Sequence, residues 1–394
     1  MRLKAICMLS FACSSLLGSL AVLAMEEGGP AIPDWPCFRG DAELKGVAAA
    51  VLPERLELLW THETGKTTVS SPIIAQGLVF IGCDDYGLHA IDLESGEKRW
   101  VFKTEDIIEA PPFYHDGIVY VGSSDFRLYA VDAKSGEIRF KFETEDKILG
   151  GANAWTGPDD KARILVGSYD SRLYCLDAGS GEKLWEYLTD NFVNGTPAVS
   201  GGKVLFGGCD AVLHVVDAAT GGEVKRQPMG EAAHIAGSVA VEQGLAYFGH
   251  YGNEFVCVDS GDGSTKWKFA SGDQAFFSSP AIAEDRVLVG GRDRKLHCLK
   301  KSDGTEIWSF TTRKRLDSSP VIAGDKVVLG SGDGRLHLLK LEDGAEIWSY
   351  EIGQTLSTPA VAGEHVVIAA ADGRVYAFGP AETKLPSALS DKDR

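Results

Sequence analysis

Methionine, basic residues and paired cysteine motifs are all scarce in this sequence. Only 4 of the 394 residues are Met whereas 46 are Gly, a composition that favours many tight turns and little helix. Asp and Glu number 56 against 39 Lys and Arg, so the formal charge is −17. A chain this acidic lacks the basic surface that binds a phosphate backbone, and we expect no nucleic-acid partner. No C-x-x-C motif occurs, so zinc binding and haem attachment have no support.

Long apolar runs are restricted to the N-terminus. Two basic residues precede an apolar stretch over residues 5–23, which is typical of a secretory signal peptide, and we expect cleavage after residue 24. The bulky Phe11 fits a lipid-attachment signal at Cys13 poorly, so no lipid anchor is expected. No later run approaches the ~18 apolar residues of a membrane span. The sequence therefore predicts an exported protein of the periplasm or outer-membrane periphery, with no transmembrane segment in the mature chain.

The remainder of the chain repeats with a period of about forty residues. Within each unit apolar residues alternate with a period of two between Gly-containing turns, which predicts four short strands, here called A to D. A four-stranded unit of this length is the signature of a β-propeller blade. The repeat is marked by a leading small residue at intervals of 40, 45, 40, 42, 41, 40 and 39: Gly82, Gly122, Gly167, Gly207, Gly249, Gly290, Gly330 and Ala369.

The order of the units predicts how the ring closes. Eight strand-D positions are present, but the first, at Trp60, has no A–B–C set before it, and the last A–B–C set, ending near Phe378, has no strand D after it. We therefore predict an all-β, eight-bladed propeller over residues 56–379, closed by the N-terminal strand so that no sheet edge stays open. Residues 25–55 form an N-terminal head segment, and residues 380–394 form a polar tail.

A recurrent motif carries a resemblance to a known family. Asp-x-x-x-Gly-Glu-x-x-Trp, complete at residues 92–100 and 177–185, resembles the repeat of the PQQ-like (quinoprotein-type) β-propeller family. The resemblance covers about Trp60 to Gly379, and residues 34–40 resemble the head segment of exported members. Two kinds of protein share this architecture: the quinoprotein dehydrogenases, and the non-enzymatic outer-membrane assembly factor BamB with its relatives.

Several residue types recur in one slot of every blade, which favours structural roles. Six Trp occupy the strand-D slot, where a large ring can wedge between neighbouring sheets: Trp60, Trp100, Trp185, Trp267, Trp308 and Trp348. An Asp follows strand B in seven units: Asp85, Asp125, Asp170, Asp210, Asp293, Asp333 and Asp372. We expect this Asp to cap the B–C turn, and a calcium or substrate role is the alternative.

Six cysteines remain once the predicted signal peptide is removed. Cys175, Cys257 and Cys298 share a slot that holds Ala in other blades, so we expect small buried hydrophobic residues without disulfides. Cys37, Cys83 and Cys209 have no role that the sequence assigns.

Strand alternation places the B–C turns and the D–A loops on one face of the ring. The D–A loops are longer and more varied than the other turns, which makes their face the better binding candidate. Their aromatic, apolar and charged residues predict a protein interface, with packing in the neck of the ring as the alternative. The candidates are Ile108, Ile148, Phe192, Asn194, His234, Phe276, Phe277, Arg315 and Asp317.

The function expected from these features is a non-enzymatic, monomeric scaffold that binds an envelope protein, with outer-membrane protein assembly as the role that the resemblance implies. We expect no catalytic residue, cofactor or metal. One alternative is a PQQ-dependent dehydrogenase using PQQ with calcium, but the chain has no Cys-Cys pair and its repeats carry no long insertions. Another alternative is a propeller that binds a glycan or other small ligand.

Overall fold

The computed structural model describes residues 34–381, and every regular element in that range is a β-strand. Those residues contain no helix that is long and apolar enough to cross a membrane. The strands form eight separate sheets, and the predicted eight-bladed all-β propeller is confirmed. The predicted signal peptide and all but the first two residues of the predicted tail lie outside the described residues.

Strands β1 (Val47–Ala48) and β2 (Leu56–Glu63) precede the first A strand. Blades 1 to 4 follow in chain order, each from four consecutive strands: β3 (Ile73–Ala75), β4 (Leu78–Gly82), β5 (Gly87–Asp92), β6 (Lys98–Lys103); β7 (Phe113–His115), β8 (Ile118–Gly122), β9 (Arg127–Asp132), β10 (Ile138–Glu143); β11 (Asn153–Thr156), β12 (Ala162–Gly167), β13 (Arg172–Asp177), β14 (Lys183–Leu188); β15 (Ala198–Ser200), β16 (Lys203–Gly207), β17 (Val212–Asp217), β18 (Glu223–Pro228).

Blades 5 to 7 repeat this plan, and blade 8 begins with three strands from the end of the chain. Their strands are β19 (Ala240–Glu242), β20 (Leu245–Gly249), β21 (Phe255–Asp259), β22 (Thr265–Phe269); β23 (Ala281–Ala283), β24 (Arg286–Gly290), β25 (Lys295–Lys300), β26 (Glu306–Thr311); β27 (Val321–Ala323), β28 (Lys326–Gly330), β29 (Arg335–Lys340), β30 (Glu346–Glu351); β31 (Ala360–Ala362), β32 (His365–Ala370) and β33 (Arg374–Pro380).

Closure of the ring occurs as the repeat count predicts. Strand β2 pairs antiparallel with β33, from Leu56 opposite Pro380 to Glu63 opposite Arg374, and so supplies strand D of blade 8. Strands B and C of each blade are buried on both faces because they are covered by the two neighbouring blades, and their sequences are accordingly continuous apolar runs. The D strands at the outer rim are more exposed and more polar.

Five of the strand-D tryptophans join their blade to the next one through the indole N–H. The Trp100 indole N–H donates to the Ala133 carbonyl oxygen at 3.0 Å, and the ring covers Gly136, where a Cβ would lie 2.7 Å from it. The same indole bond, across 33 or 34 residues, is made by Trp60, Trp185, Trp267 and Trp308. Trp348 instead packs against Tyr350 and Phe378.

Residues 35–48 of the head segment follow the inner edges of the blades around the central channel, a position that the sequence does not reveal. Trp35 bridges to Ile74 of blade 1, and β1 pairs in parallel with β27 of blade 7. Between them, backbone N–H groups of the inner strands donate to head-segment carbonyls: Tyr114 to Pro36, Val199 to Ala42, Val241 to Glu43, Ile282 to Lys45 and Ile322 to Gly46. Because the head segment is held by backbone hydrogen bonds, its path produces no apolar periodicity in the sequence.

Arg39 anchors the head segment between blades 6 and 7. Its side chain is fully buried, and Nη2 donates to the carbonyl oxygens of Pro280 and Pro320. Burial lowers the pKa of Arg39 to about 9. Gly46, at φ +66°, closes over the guanidinium, and a Cβ there would lie 1.9 Å from Nη2. The segment is therefore fitted around a buried cation.

Candidate binding face

The face that carries the D–A loops and B–C turns, called the loop face below, surrounds a cavity of about 320 Å³ on the ring axis. Phe38 of the head segment lines this cavity together with loop residues. Each D–A loop has one buried residue that packs into the neck of the ring, here called the buried loop position. In every blade the residue directly after this position contributes to the lining. These eight mouth residues are Val69, Glu109, Leu149, Asn194, Ala236, Phe277, Asp317 and Ser357.

A belt of Ser and Thr hydroxyls links the blades just inside the mouth. Each hydroxyl oxygen accepts a bond from a backbone N–H of the preceding blade at 2.9–3.0 Å: Gly151 to Thr196, Thr196 to Ser238, Ser238 to Ser279, Ser279 to Ser319 and Ser319 to Thr358. Sequence reasoning missed this belt, although the Ser-Ser-Pro entry to strand A was its signal. The cavity wall is consequently polar but already hydrogen-bonded.

Four of the predicted partner contacts lie together in one strip on the loop face. We name the strip the aromatic arc; it comprises His234, Tyr251, Phe277, Arg292, Asp317 and Arg315. The Tyr251 and Phe277 ring centroids are 4.3 Å apart, and the Arg292 guanidinium lies 3.5 Å from the Phe277 centroid. Sequence reasoning missed Tyr251 and Arg292 because both belong to the short B–C turns.

Charge pairing fixes the polar end of the aromatic arc. Arg292 binds Asp317 through two bonds, Nε to Oδ1 at 2.9 Å and Nη2 to Oδ2 at 3.1 Å, while Arg315 Nε lies 3.0 Å from Oδ2. Such a bidentate pair is well defined in geometry. Because Arg292 also covers Phe277, the arc presents an ordered aromatic and cationic surface.

A second aromatic pair adjoins the His234 end of the aromatic arc and includes two more predicted residues. The Cys209 backbone N–H donates to the Phe192 carbonyl oxygen, and His234 Nδ1 contacts the Cys209 carbonyl oxygen. Phe192 is 40% exposed and stacks on Tyr169 with centroids 4.7 Å apart. The Tyr169 hydroxyl donates to Asn194 Oδ1 at 3.0 Å, and Lys147 Nζ lies 4.8 Å from the Tyr169 centroid. Phe192 and Asn194 are thus brought together, whereas the aromatic arc lies in later blades.

The structure corrects the sequence-based prediction for Ile108, Ile148 and Phe276. Their exposures are 0%, 0% and 1%, so they cannot be contacts for a partner. Each lies over the leading glycine of its blade: a Cβ on Gly82 would be 2.2 Å from Ile108 Cγ2. These three residues therefore pack in the neck of the ring, which was the alternative to a partner contact. Because each of them fills the space above its leading glycine, the repeat must begin with a small residue.

The repeated Asp residues lie at the B–C turns. Six of them accept a bond from the backbone N–H two residues later at 2.9–3.2 Å: Asp85, Asp170, Asp210, Asp293, Asp333 and Asp372. Asp125 instead accepts bonds from the Glu105 backbone N–H of the preceding blade and from the Tyr129 hydroxyl, both at 2.8 Å. These contacts occupy the carboxylates with backbone and strand-C partners.

All six cysteines in the described range are free thiols. The Cys83 thiol donates to the Lys66 carbonyl oxygen at 3.3 Å, as the Ser123 hydroxyl does to Ile107 in the next blade. Burial raises the pKa of Cys257 to about 11 and also raises that of the half-buried Cys209. Neither thiol is therefore poised as a nucleophile at neutral pH.

The described residues at the mouth do not match the donor set that PQQ with calcium requires. The cavity lining includes the carboxylates of Glu109 and Asp317 but, among the residues the structure describes, no Lys, Arg or His to pair with the carboxylates of the quinone. Among the described His, Cys, Asp and Glu side chains, one group of three lies close enough together to share a metal ion. This group is Cys83, Asp85 and His89, and none of the three lines the cavity.

Comparison with known structures returns BamB and quinoprotein dehydrogenases among its matches. BamB from Moraxella catarrhalis is 22% identical, with a TM-score of 0.68, over 83% of this chain and 98% of its own. Quinohemoprotein alcohol dehydrogenase from Comamonas testosteroni is 14% identical, with a TM-score of 0.75, over 90% of this chain and 82% of its own. A europium-containing methanol dehydrogenase is 11% identical, with a TM-score of 0.74, over 88% of this chain and 98% of its own. At these identities the likeness shows the fold alone.

No curated protein matches this chain at the level of sequence. A family model described as outer membrane protein assembly factor BamB does match, over residues 44–158, 141–211 and 209–386. These segments span most of the chain and all eight blades. The chain therefore belongs to this family of PQQ-type repeat propellers.

Proposed function

We propose that this protein is a non-enzymatic scaffold of the cell envelope that docks a partner protein on its loop face. The observation that carries the proposal is the aromatic arc, in which Tyr251 is 47% exposed beside Phe277 and Arg292. Aromatic and Arg side chains dominate the energetics of protein interfaces. An arc held by stacking and by a bidentate ion pair loses little side-chain entropy on binding, which favours affinity.

The arrangement of the face supports a macromolecular partner over a substrate. The arc lies on loops and turns that run from blade 4 to blade 7, and the Phe192–Tyr169 pair extends the exposed aromatic surface to blade 3. A partner resting on both regions would contact the rim of the axial cavity from blade 3 to blade 7. Export and outer-membrane protein assembly belong to the same proposal and rest on the family and on the N-terminal sequence pattern.

Site-specific photo-cross-linking tests the proposal. p-Benzoylphenylalanine replaces Tyr251 on the loop face or, as a matched control, Ile138, which is 48% exposed at the start of a D strand near the opposite face. We expect a discrete adduct with one envelope protein from position 251 only, reduced by Phe277→Ala. Equal labelling from both positions, or no adduct from position 251, would refute the proposal.

A small-ligand function is the second candidate, and the axial cavity favours it. Its lining combines hydroxyls with the Asn194 amide and the Phe277 ring, a combination suited to a polar ligand such as a sugar. Calorimetric titration of the purified protein with PQQ, with and without calcium, and separately with oligosaccharides distinguishes the cases. Saturable, calcium-dependent heat with PQQ would overturn the scaffold proposal in favour of a quinoprotein, whereas saturable heat with a glycan alone would favour the second candidate.

A further inference from the structure

One D–A loop carries the opposite charge to three equivalent loops of the ring. The loops that follow strand D in blades 1 to 3 begin Thr-Glu-Asp, Thr-Glu-Asp and Thr-Asp-Asn, at residues 104–106, 144–146 and 189–191. The equivalent loop after blade 6, residues 312–315, reads Thr-Arg-Lys-Arg. The first Thr keeps its structural bonds in all four loops, since Thr312 Oγ1 donates to the Arg294 and Lys314 carbonyl oxygens as Thr104 does to Tyr86 and Asp106. The backbone is therefore conserved while the charge is inverted.

This inversion removes an ion pair between blades. In the acidic loops Glu105 pairs with Arg127 at 2.8 Å, and Glu145 pairs with Arg172 at 3.1 Å. Arg335 occupies the slot of those two arginines in blade 7, but the facing loop offers Arg313, and Arg335 pairs with Glu351 of its own blade. The fold gains nothing from this exchange, because the acidic partner in the interblade ion pair of the repeat has been replaced by a cation.

The result is a basic pocket on an acidic protein. Arg294, Arg313 and Lys314 line a pocket of about 580 Å³ between blades 6 and 7, beside Arg292 and Arg315 of the aromatic arc. Arg292 and Arg315 share Asp317. The other three cations are exposed and form no ion pair within the part of the chain that the structure describes. The bonds from Arg292 and Arg315 to Asp317 show that a carboxylate fits at the edge of this pocket.

The geometry of the repeat places Arg294 at the pocket. It sits at the tip of its B–C turn at φ +72°, and the same position has a positive φ in the other seven blades, where it holds Tyr86, Phe126, Ser171, Ala211, Asn253, Gly334 and Gly373. The left-handed conformation therefore belongs to the turn, whereas the basic side chain is found in blade 6. The tip projects the guanidinium toward the pocket lined by Arg313 and Lys314.

From these observations we infer that the basic pocket binds an acidic segment, rich in Asp and Glu, of the partner protein. This inference rests on the proposed function and adds the chemistry of the partner. Three unpaired cations spread along two neighbouring loops suit several successive carboxylates rather than one compact phosphate. The adjoining aromatic arc would hold apolar side chains of the same partner, and the cations would set its orientation and speed its association.

A charge-matched pair of triple variants tests the inference. Arg294→Gln, Arg313→Gln and Lys314→Gln remove the unpaired cations, whereas Lys98→Gln, Lys134→Gln and Lys161→Gln remove three exposed lysines at turns on the opposite face. The probe is a fluorescein-labelled twelve-residue peptide of alternating Glu and Ser, titrated at low and at physiological salt. We expect the pocket variant to weaken binding about tenfold at low salt and less at high salt, and the control variant to leave it unchanged.

Other outcomes overturn the inference. These are equal binding by the two triple variants, no binding of the peptide by the unaltered protein, or stronger competition by inorganic phosphate or phosphatidylglycerol vesicles than by unlabelled peptide. Photo-cross-linking from position 251 separates this inference from the proposed function. An undiminished adduct in the pocket variant would refute the acidic segment and leave the scaffold standing, whereas absence of an adduct in every variant would refute the scaffold itself.

Discussion

The fit of the head segment around Arg39 predicts that Gly46→Ala destabilises the propeller strongly. The new Cβ would lie 1.9 Å from Arg39 Nη2 and 2.5 Å from Cζ, and Gly46 is at φ +66°. The backbone conformation alone costs about 1–2 kcal/mol for a residue with a Cβ. Forcing a buried side chain out of its place adds about 1–3 kcal/mol. We therefore expect the free energy of unfolding to fall by about 2–5 kcal/mol, measured by urea denaturation followed by tryptophan fluorescence.

Gly65→Ala provides the control for backbone strain. Gly65 is at φ +88°, but a Cβ there would have nothing within 4 Å. Its substitution should therefore cost only the conformational part, about 1–2 kcal/mol. The difference between the two variants measures the contact with Arg39.

A double-mutant cycle assigns that difference to one side chain. In an Arg39→Ala background the guanidinium is absent, so Gly46→Ala should cost no more than Gly65→Ala does. The reasoning fails if Gly46→Ala and Gly65→Ala are equally destabilising in the unaltered protein. It also fails if the extra cost of Gly46→Ala persists without Arg39, because the steric conflict would then lie elsewhere.

Three further predictions concern the repeat and its titrating groups. Trp100→Phe keeps a ring between the blades but loses the indole bond to Ala133, so urea denaturation should show a loss of about 1 kcal/mol. Burial lowers the pKa of His250 below its usual 6.5, so the unfolded chain takes up a proton at a higher pH than the folded chain does, and stability should fall as the pH drops below 6.5. His250→Ser introduces the residue that blade 2 has at the equivalent position, Ser123. This variant should flatten the fall in stability below pH 6.5. Cys209 is the described cysteine that is not fully buried, so iodoacetamide should alkylate it first in the native protein, as peptide mass spectrometry can verify.

The sequence was sufficient to predict the fold because the fold is built from local, repeated contacts. Each leading glycine accommodates an apolar loop residue, and six of the seven strand-D rings cover a turn glycine of the next blade, so both contacts leave a period of about forty residues. The same logic misplaced Ile108 on the surface. A residue that recurs beside a recurrent glycine is packed against it, and the spacing of Ile108 and Gly82 contained that information.

The path of the head segment could not be predicted in the same way. It contacts six blades through backbone hydrogen bonds, which any residue type except Pro can donate and which therefore impose no pattern on the sequence. Arg39 was equally hidden. A basic residue is usually exposed, and only the three-dimensional path shows that the carbonyl oxygens of Pro280 and Pro320 accept hydrogen bonds from Arg39 in the core.

The loop face shows where the fold stops dictating the sequence. The buried loop position holds an aliphatic or aromatic residue in every blade but one, where it is Thr68, because it must fill the space above the leading residue of the blade. The very next position lines the mouth, and there the eight blades carry eight different residue types, from Val69 and Glu109 to Asp317 and Ser357. The residue type is therefore restricted by packing at the buried loop position and is free to vary for recognition at the mouth residue that follows it. Because the mouth residues contribute little to the ring, substitutions among them should leave stability nearly unchanged while altering whatever the loop face binds.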